Sequence, residues 1–253
     1  MKFVVLSSGS KGNTTYIECN NFKMLIDIGN NCKYVVDNLK GIGVDPKEIN
    51  AIFITHTHND HIKGLKVFYN KYKTKVYSTK KILSELNYID NYEIIPISNF
   101  TIEDISIDVI KLSHDAPECV GYIISNNQKK LVYITDTGYI NEKYFGLLNN
   151  ADAYILESNH DIEMLSNGKY PFHLRKRILS DKGHISNYDC ARYLSSLSGS
   201  RTKTIVLAHL SEENNTKELA YQTLINKLKE EKKKINRIEI AMQDKRTEVI
   251  EVW

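Results

Sequence analysis

Residues 51–61 read AIFITHTHNDH, an apolar run followed by three histidines and an aspartate within six positions. The run has the length and composition of a buried strand, and the polar cluster begins where the strand stops. Imidazole is the commonest neutral metal ligand and a carboxylate adds a hard oxygen, so the cluster is a candidate metal site. A polar turn capping a helix is the alternative. The same pattern recurs further on. His114 follows VIKLS, Asp136 follows LVYIT, Glu157 follows AYIL and His209 follows TIVLA, while His184 sits in a turn-like GHIS ahead of a helical stretch. One such residue is ordinary packing, but single ionisable groups at the ends of several apolar strands point to a shared cleft. The chain must therefore adopt a fold that brings strand ends together.

The 253 residues are enough to bury a core, and the 42% hydrophobic and 26% charged shares are those of a globular protein. A net charge of +3 with a pI near 8.4 tolerates an anionic substrate without requiring one. The opening MKFVVLSSGSKGN turns polar after six residues, unlike the apolar stretch of a secretion signal. No apolar run approaches the ~18 residues of a membrane helix. Cys19, Cys32, Cys119 and Cys190 form no CxxC pair, so neither a zinc finger nor a disulfide framework is indicated. These features predict a cytoplasmic protein with no membrane attachment. Without repeats, linkers or a break in composition, residues 1–253 read as one domain.

Strands are expected at KFVVL, TTYIEC, KMLIDIG, AIFI and KVYS, with helices around CKYVVDNLKGIG and HIKGLKVFYNKY. Two hairpin-like stretches follow, FTIEDISIDVIKLS and VGYIISNNQKKLVYITD, the second turning at SNNQKK. AYILES and TIVLAH read as strands, PFHLRKRILS and NYDCARYLSSLS as helices. A long amphipathic helix covers about TKELAYQTLINKLKEEKKK, with strands at RIEIAMQ and TEVIEVW. Trp253 is expected to close the last strand within the core. The KEEKKK run reads as the solvated end of its helix. Strand-rich halves with helices appended suggest two mixed sheets face to face with helices outside, though periodicity alone leaves other α/β layouts open.

His56, His58, Asp60, His61, His114, Asp136 and His209 make seven candidate ligands, too many for one tetrahedral zinc. They suit two divalent ions bridged by a carboxylate, an arrangement that stabilises both the attacking and the leaving oxygen of a displacement. The imidazole and carboxylate set fits zinc or manganese, and spacing does not choose between them.

ITHTHNDHIKG resembles the HxHxDH signature of the metallo-β-lactamase superfamily, and LIDIG, LSHDAPECVGYII, TDTG and LAHLS match further family motifs in order over nearly the whole chain. The resemblance implies the four-layer αββα sandwich. It also implies that His56, His58 and His114 hold one metal, that Asp60, His61 and His209 hold the other, and that Asp136 bridges them. Asp27 falls at a supporting, non-ligand aspartate. His58 stands where the family's flavo-diiron oxygen reductases carry glutamate, which implies hydrolysis over redox chemistry. GHISNYDCARYL resembles the motif of tRNase Z-like phosphodiesterases. By that likeness His184 is a general acid or phosphate-contacting group, Glu157 orients it, and Asp60 joins them as a catalytic residue.

SSGSKGN, ESNHD, YPFHLRKRILSDKGHISN and LAHLSEENN resemble the WalJ/YycJ-like group of bacterial metallohydrolases. That likeness implies a 5′→3′ exonuclease acting on DNA. The chain lacks room for an inserted β-CASP domain and shows no long arm of the tRNase Z kind, which counts against tRNA processing. A small-molecule thioester or lactone hydrolase is the alternative within the superfamily, and a nucleic-acid-binding module with a vestigial site is the alternative outside enzymes. Ser8, Ser10, Asn13, Asn159 and His160 are candidate substrate contacts. SSGSKGN could form a nest of N–H groups for a phosphate or a tight hairpin turn. His160, Asp161 and His173 could equally be packing residues. A net +3 leaves the grip on a polynucleotide to local clusters such as HLRKR at 173–177, to a partner protein, or to a homo-oligomer.

Overall fold

The computed structural model describes residues 1–252; Trp253, and with it the expectation that this side chain joins the core, lies outside them. In chain order the elements are β1 (Lys2–Ser7), β2 (Thr14–Cys19), β3 (Phe22–Ile26), α1 (Cys32–Gly41), β4 (Ala51–Phe53), α2 (Asn59–Ile62), α3 (Leu65–Tyr72), β5 (Lys75–Ser78), α4 (Lys80–Leu83), β6 (Tyr92–Ile94), β7 (Asn99–Ile102) and β8 (Ile105–Lys111). There follow β9 (Val120–Ser125), β10 (Lys130–Ile134), α5 (Phe145–Leu148), β11 (Ala153–Glu157), α6 (Ile162–Asn167), α7 (Phe172–Ile178), α8 (Asn187–Leu197), β12 (Thr204–Ala208), α9 (Lys217–Glu230), β13 (Arg237–Ile240) and β14 (Ile250–Glu251).

Two seven-stranded sheets result, ordered β14-β1-β2-β3-β4-β5-β6 and β13-β12-β11-β10-β9-β8-β7. In chain order each sheet starts with antiparallel strands and continues with parallel ones, the last strand β14 joining β1 antiparallel. In the first, pairing turns parallel from β3 onward, and in the second from β10 onward. The change of direction aligns the carboxyl ends of β3, β4, β10, β11 and β12, and open α/β sheets place their ligands beyond such ends.

Side-chain alternation explains the layering. In β11, Ala153 and Ile155 join an inner core shared with Met24, Ile26 and Phe53 of the other sheet, whereas Tyr154 and Leu156 pack outward with Leu194 of α8 and Leu224 of α9. In β12, Val206 and Ala208 face in while Ile205 and Leu207 face out. A strand buried on both faces reads as an unbroken apolar run, as TIVLA and AYIL do. On the other face of the first sheet Leu25, Ile52 and Val76 are buried, and Val35 and Leu39 of α1 and Phe68 of α3 belong to the same continuous apolar cluster. The molecule is an αββα sandwich, as expected.

Several elements differ from the expectations. HIKGLKVFYNKY is two helices, because Gly64 meets the Asn30 backbone and its N–H donates to Ile28 O, 2.9 Å. The strand expected over KMLIDIG stops at Ile26, since Asp27 turns into the left-handed region with φ of 59°. Among its described residues, the terminal run TEVIEVW contributes only Ile250–Glu251. The short β6, exposed along its length, and α6 carry too little apolar periodicity to be anticipated.

Three loops are bolted together at the site end. Asn13 N donates to Asp60 O at 2.7 Å, Gly29 N to Asn13 O at 2.8 Å, and Ile28 N to His61 O at 2.9 Å. A Cβ on Gly29 would overlap Asp60 O and Asn13 N, backbone atoms that no rotamer change can move away. Gly29→Ala is expected to lower the unfolding free energy by about 2 kcal/mol or more. A urea unfolding curve with an unshifted midpoint would contradict this close approach.

Candidate metal centre

The one-turn helix α2 follows β4 with His58 at its N-cap. The His58 side chain makes no capping bond, and its Nδ1 lies 3.2 Å from His114 Nε2. Three groups of potential ligand atoms form, the atoms of each lying within 4.8 Å of one another: His56, His58 and His114; Asp60, His61, Asp136 and His209; and Asp136, Glu157, His184 and His209. Asp136 links them. Its Oδ2 lies 3.1 Å from His61 Nε2, while its Oδ1 lies 3.4 Å from His209 Nε2 and 3.9 Å from His114 Nε2.

The outer nitrogens of these rings are held by acceptors. His61 Nδ1 donates to Asp27 Oδ2 at 2.7 Å, and Asp27 also accepts from Thr55 N at 2.8 Å and Thr55 Oγ1 at 2.7 Å. Thr55 Oγ1 in turn accepts from His56 Nδ1 at 3.0 Å. His114 Nδ1 donates to Gly183 O at 3.2 Å and His209 Nδ1 to Glu157 Oε1 at 2.8 Å. A proton fixed on Nδ1 leaves the Nε2 lone pair free and directed inward, the arrangement a metal-binding histidine needs.

Three of the inward atoms, His56 Nε2, His209 Nε2 and Asp136 Oδ2, are buried without a hydrogen-bond partner. Most buried polar atoms of folded proteins are hydrogen-bonded, so orphaned acceptors converging on one space fit a cation. The electrostatics agree. Burial would raise Asp136, yet His209, His61 and His56 hold it well below the usual carboxylate range. Burial would lower His61, yet Asp136 and Asp27 push it up to about 10. Burial prevails at His56, which falls well below its ordinary value. Carboxylates facing imidazoles without solvent create a demand for positive charge, which a divalent cation meets while displacing protons.

Asp27, Asp136 and His209 all have left-handed backbone, with φ of 59°, 59° and 55°. Aspartate and histidine tolerate this region better than most residues, at a cost of order 1–3 kcal/mol each. Each lies at or just beyond the end of a parallel strand, where the chain turns out of the sheet.

His184 Nδ1 donates to Glu157 Oε1 at 2.7 Å, so one carboxylate oxygen serves both His184 and His209. Glu157 Oε2 accepts from Thr137 N at 3.1 Å and Ile185 N at 3.4 Å. Burial works against its charge, but His184 and His209 bring it down to about 2. Burial likewise opposes charge on His184, and Glu157 outweighs it, leaving His184 raised. His184 lies over the His209 ring, centroids 5.2 Å apart, and lines a cleft of about 170 Å³ with Ser10, Asn159 and Arg177.

The remaining candidates separate by position. Asn13 Nδ2 lies 3.2 Å from Asp60 Oδ2 and 3.0 Å from His61 Nε2, against two of the candidate ligands. Ser8 is buried, its Oγ accepting from His209 N at 2.8 Å. Ser10 and Asn159 line the cleft. His160 is buried with neither ring nitrogen bonded and is not brought to the cleft wall. The SSGSKGN loop joins β1 to β2, and the N–H groups of Ser8, Gly9, Lys11, Gly12 and Asn13 all donate within the protein, so they do not form a phosphate nest. Sequence reasoning missed Thr55 and Asp115. Thr55 precedes His56 and ties Asp27 to it; Asp115 follows His114, lies 3.3 Å from its Nε2 and accepts from Arg177 Nε across the cleft mouth. Adjacency to a candidate ligand was the available signal for both.

With this geometry established, comparison places the chain among known proteins. Residues 26–210 match the model of the beta-lactamase superfamily domain. The chain is 40% identical over 236 residues to exodeoxyribonuclease WalJ of Streptococcus pneumoniae, covering 90% of this chain and 88% of that protein. It is 39% identical over 237 residues to exodeoxyribonuclease YycJ of Bacillus anthracis, covering 91% and 90%. Among solved structures, the metallo-beta-lactamase fold protein YhfI from Bacillus subtilis superposes with a TM-score of 0.71 at 16% identity over 98% of this chain and 99% of that one.

Asp27→Asn keeps the shape of the side chain but presents an amide N–H₂ to a donor. The substitution is expected to drive His61 into the tautomer protonated on Nε2 and to weaken metal binding 10–100-fold. Competition against a chromogenic chelator measures this, with circular dichroism reporting an intact fold. An unchanged affinity would contradict the role given to Asp27.

Proposed function

The chain belongs to the beta-lactamase superfamily, and from its paired ligand clusters and its likeness to two exodeoxyribonucleases we propose that it is a dinuclear metal-dependent phosphodiesterase acting on nucleic acid, a 5′→3′ DNA exonuclease. The observation that carries the reading is the His184–Glu157 pair, 2.7 Å apart beside the ligand clusters. Hydrolysis of a phosphodiester expels an alkoxide, which needs a proton as the bond breaks.

His56, His58 and His114 would hold one ion and Asp60, His61 and His209 the other, with Asp136 between. Zinc or manganese suits this donor set. Two such ions supply a water of lowered pKa and offset charge on the phosphoryl oxygens. The chain's own residues do the rest. Glu157 anchors Nδ1 of His184 and favours its charged form, so Nε2–H is the proton available to the leaving oxygen. Arg177, tethered by Asp115 at the cleft mouth, offers a planar guanidinium to a phosphate. Asp60 would hold its ion on the nucleophile's side of the site.

The whole chain acts as one catalytic unit, because Asp60 and His61 come from its first half and Asp136 and His209 from its second. We place its action in the cytoplasm, a reading that rests on four unpaired cysteines. No helix among the described residues is long and apolar enough to cross a membrane.

His184→Ala is expected to retain both metals and the fold while lowering kcat for DNA degradation 10²–10⁴-fold. Metal analysis beside the kinetics is decisive. Loss of metal in this variant would put His184 among the ligands and remove its role as proton donor.

A further inference from the structure

Helix α7 is unlike the others. None of its residues is buried, and it carries no acidic side chain. Its sequence, FHLRKRI, presents two faces. Leu174, Arg177 and Ile178 line the metal cleft together with His184 and His209. On the other side Phe172, Arg175, Lys176 and Leu179 border a shallow groove of about 490 Å³. Phe172 is 74% exposed and Leu179 52%, and Phe172 is the most exposed of the large apolar side chains described.

An unpartnered aromatic costs solvation unless something covers it. Here the aromatic stands among cations, on a helix that forms one wall of a cleft suited to phosphodiesters. A second copy of the chain fits poorly, because a symmetric contact would set Arg175 and Lys176 against their own copies, and charged residues are depleted from the centres of protein interfaces. Single-stranded nucleic acid fits well. Its bases stack on aromatic rings regardless of sequence and its phosphates take the neighbouring cations.

We propose that the outer face of α7 is a binding platform for single-stranded DNA, with an unpaired base stacked on Phe172 and flanking phosphates on Arg175 and Lys176. This rests on the phosphodiesterase reading and gives the substrate strand a path: from the metals, past Arg177, and over the helix to Phe172. Loose, sequence-independent holding of an unpaired strand is what an exonuclease requires as it advances.

The test measures affinity by fluorescence anisotropy, using the metal-loaded enzyme and a labelled single-stranded oligothymidylate whose phosphorothioate backbone resists cleavage. Phe172→Ala is expected to raise Kd about 10-fold with the salt slope unchanged, whereas Lys176→Glu reduces that slope. Binding to a duplex of the same length, which offers no unpaired base, should respond less to Phe172→Ala. Val67→Ala, an exposed apolar residue on α3, should leave affinity at the wild-type value. An unchanged Kd for Phe172→Ala overturns the proposal, as does sedimentation showing a wild-type dimer that Phe172→Ala dissociates. Hydrolysis of bis(p-nitrophenyl) phosphate by the wild type tests the functional reading separately. Binding through Phe172 without any diester hydrolysis would keep the platform and remove that reading, and hydrolysis without binding would do the reverse.

Discussion

Two carboxylates sealed from solvent govern this structure. Asp27 beyond β3 of one sheet and Glu157 at the end of β11 of the other are both fully buried, and each fixes Nδ1 of a histidine whose Nε2 faces the same space. Leaving either without its donors would strand a charge in the core at a cost of several kcal/mol. Their hydrogen bonds set the tautomers of His61 and His209, and so decide which nitrogen of each ring is available to a cation. Glu157 extends the same control to His184 through the oxygen it shares with His209.

The sandwich exists to hold these groups at one edge. Continuous burial of strands such as TIVLA and AYIL fixes the sheets, and the switch to parallel pairing aligns their carboxyl ends. Beyond those ends lie left-handed residues whose strain the surrounding backbone bonds sustain. The result is a rigid floor of ligands under a more exposed wall, α7. That division suits an enzyme whose chemistry needs fixed atoms and whose substrate is a long, moving strand.

Much of this is legible in the amino-acid sequence. The apolar runs specify most strands, and isolated ionisable residues at their ends, with the ordered motifs, single out the residues that the fold brings together. What escapes is non-local. Nothing near Gly64 announces that its helix must break to admit the Asn30 backbone, and nothing near Ser8 announces that its hydroxyl will meet His209 N. SSGSKGN reads equally as an anion nest or a turn, and only the fold spends its N–H groups on Asp60, Gln243 and Met242. The basic run at 173–177 is visible, but the exposure of Phe172 beside it depends on which face α7 turns to the cleft. Asp115 stands beside His114 in sequence, but its pairing with Arg177, 62 positions on, is not visible there.

The most direct measurement is degradation of DNA labelled at its 5′ or its 3′ end, with added Mn²⁺ or Zn²⁺, resolved by length over time. A 5′→3′ exonuclease releases the 5′ label at once as a mononucleotide, while the 3′-labelled strand shortens stepwise. Intact DNA and RNA under every metal condition, together with turnover of a thioester or lactone, would contradict the nuclease and move the same metal centre to small-molecule hydrolysis.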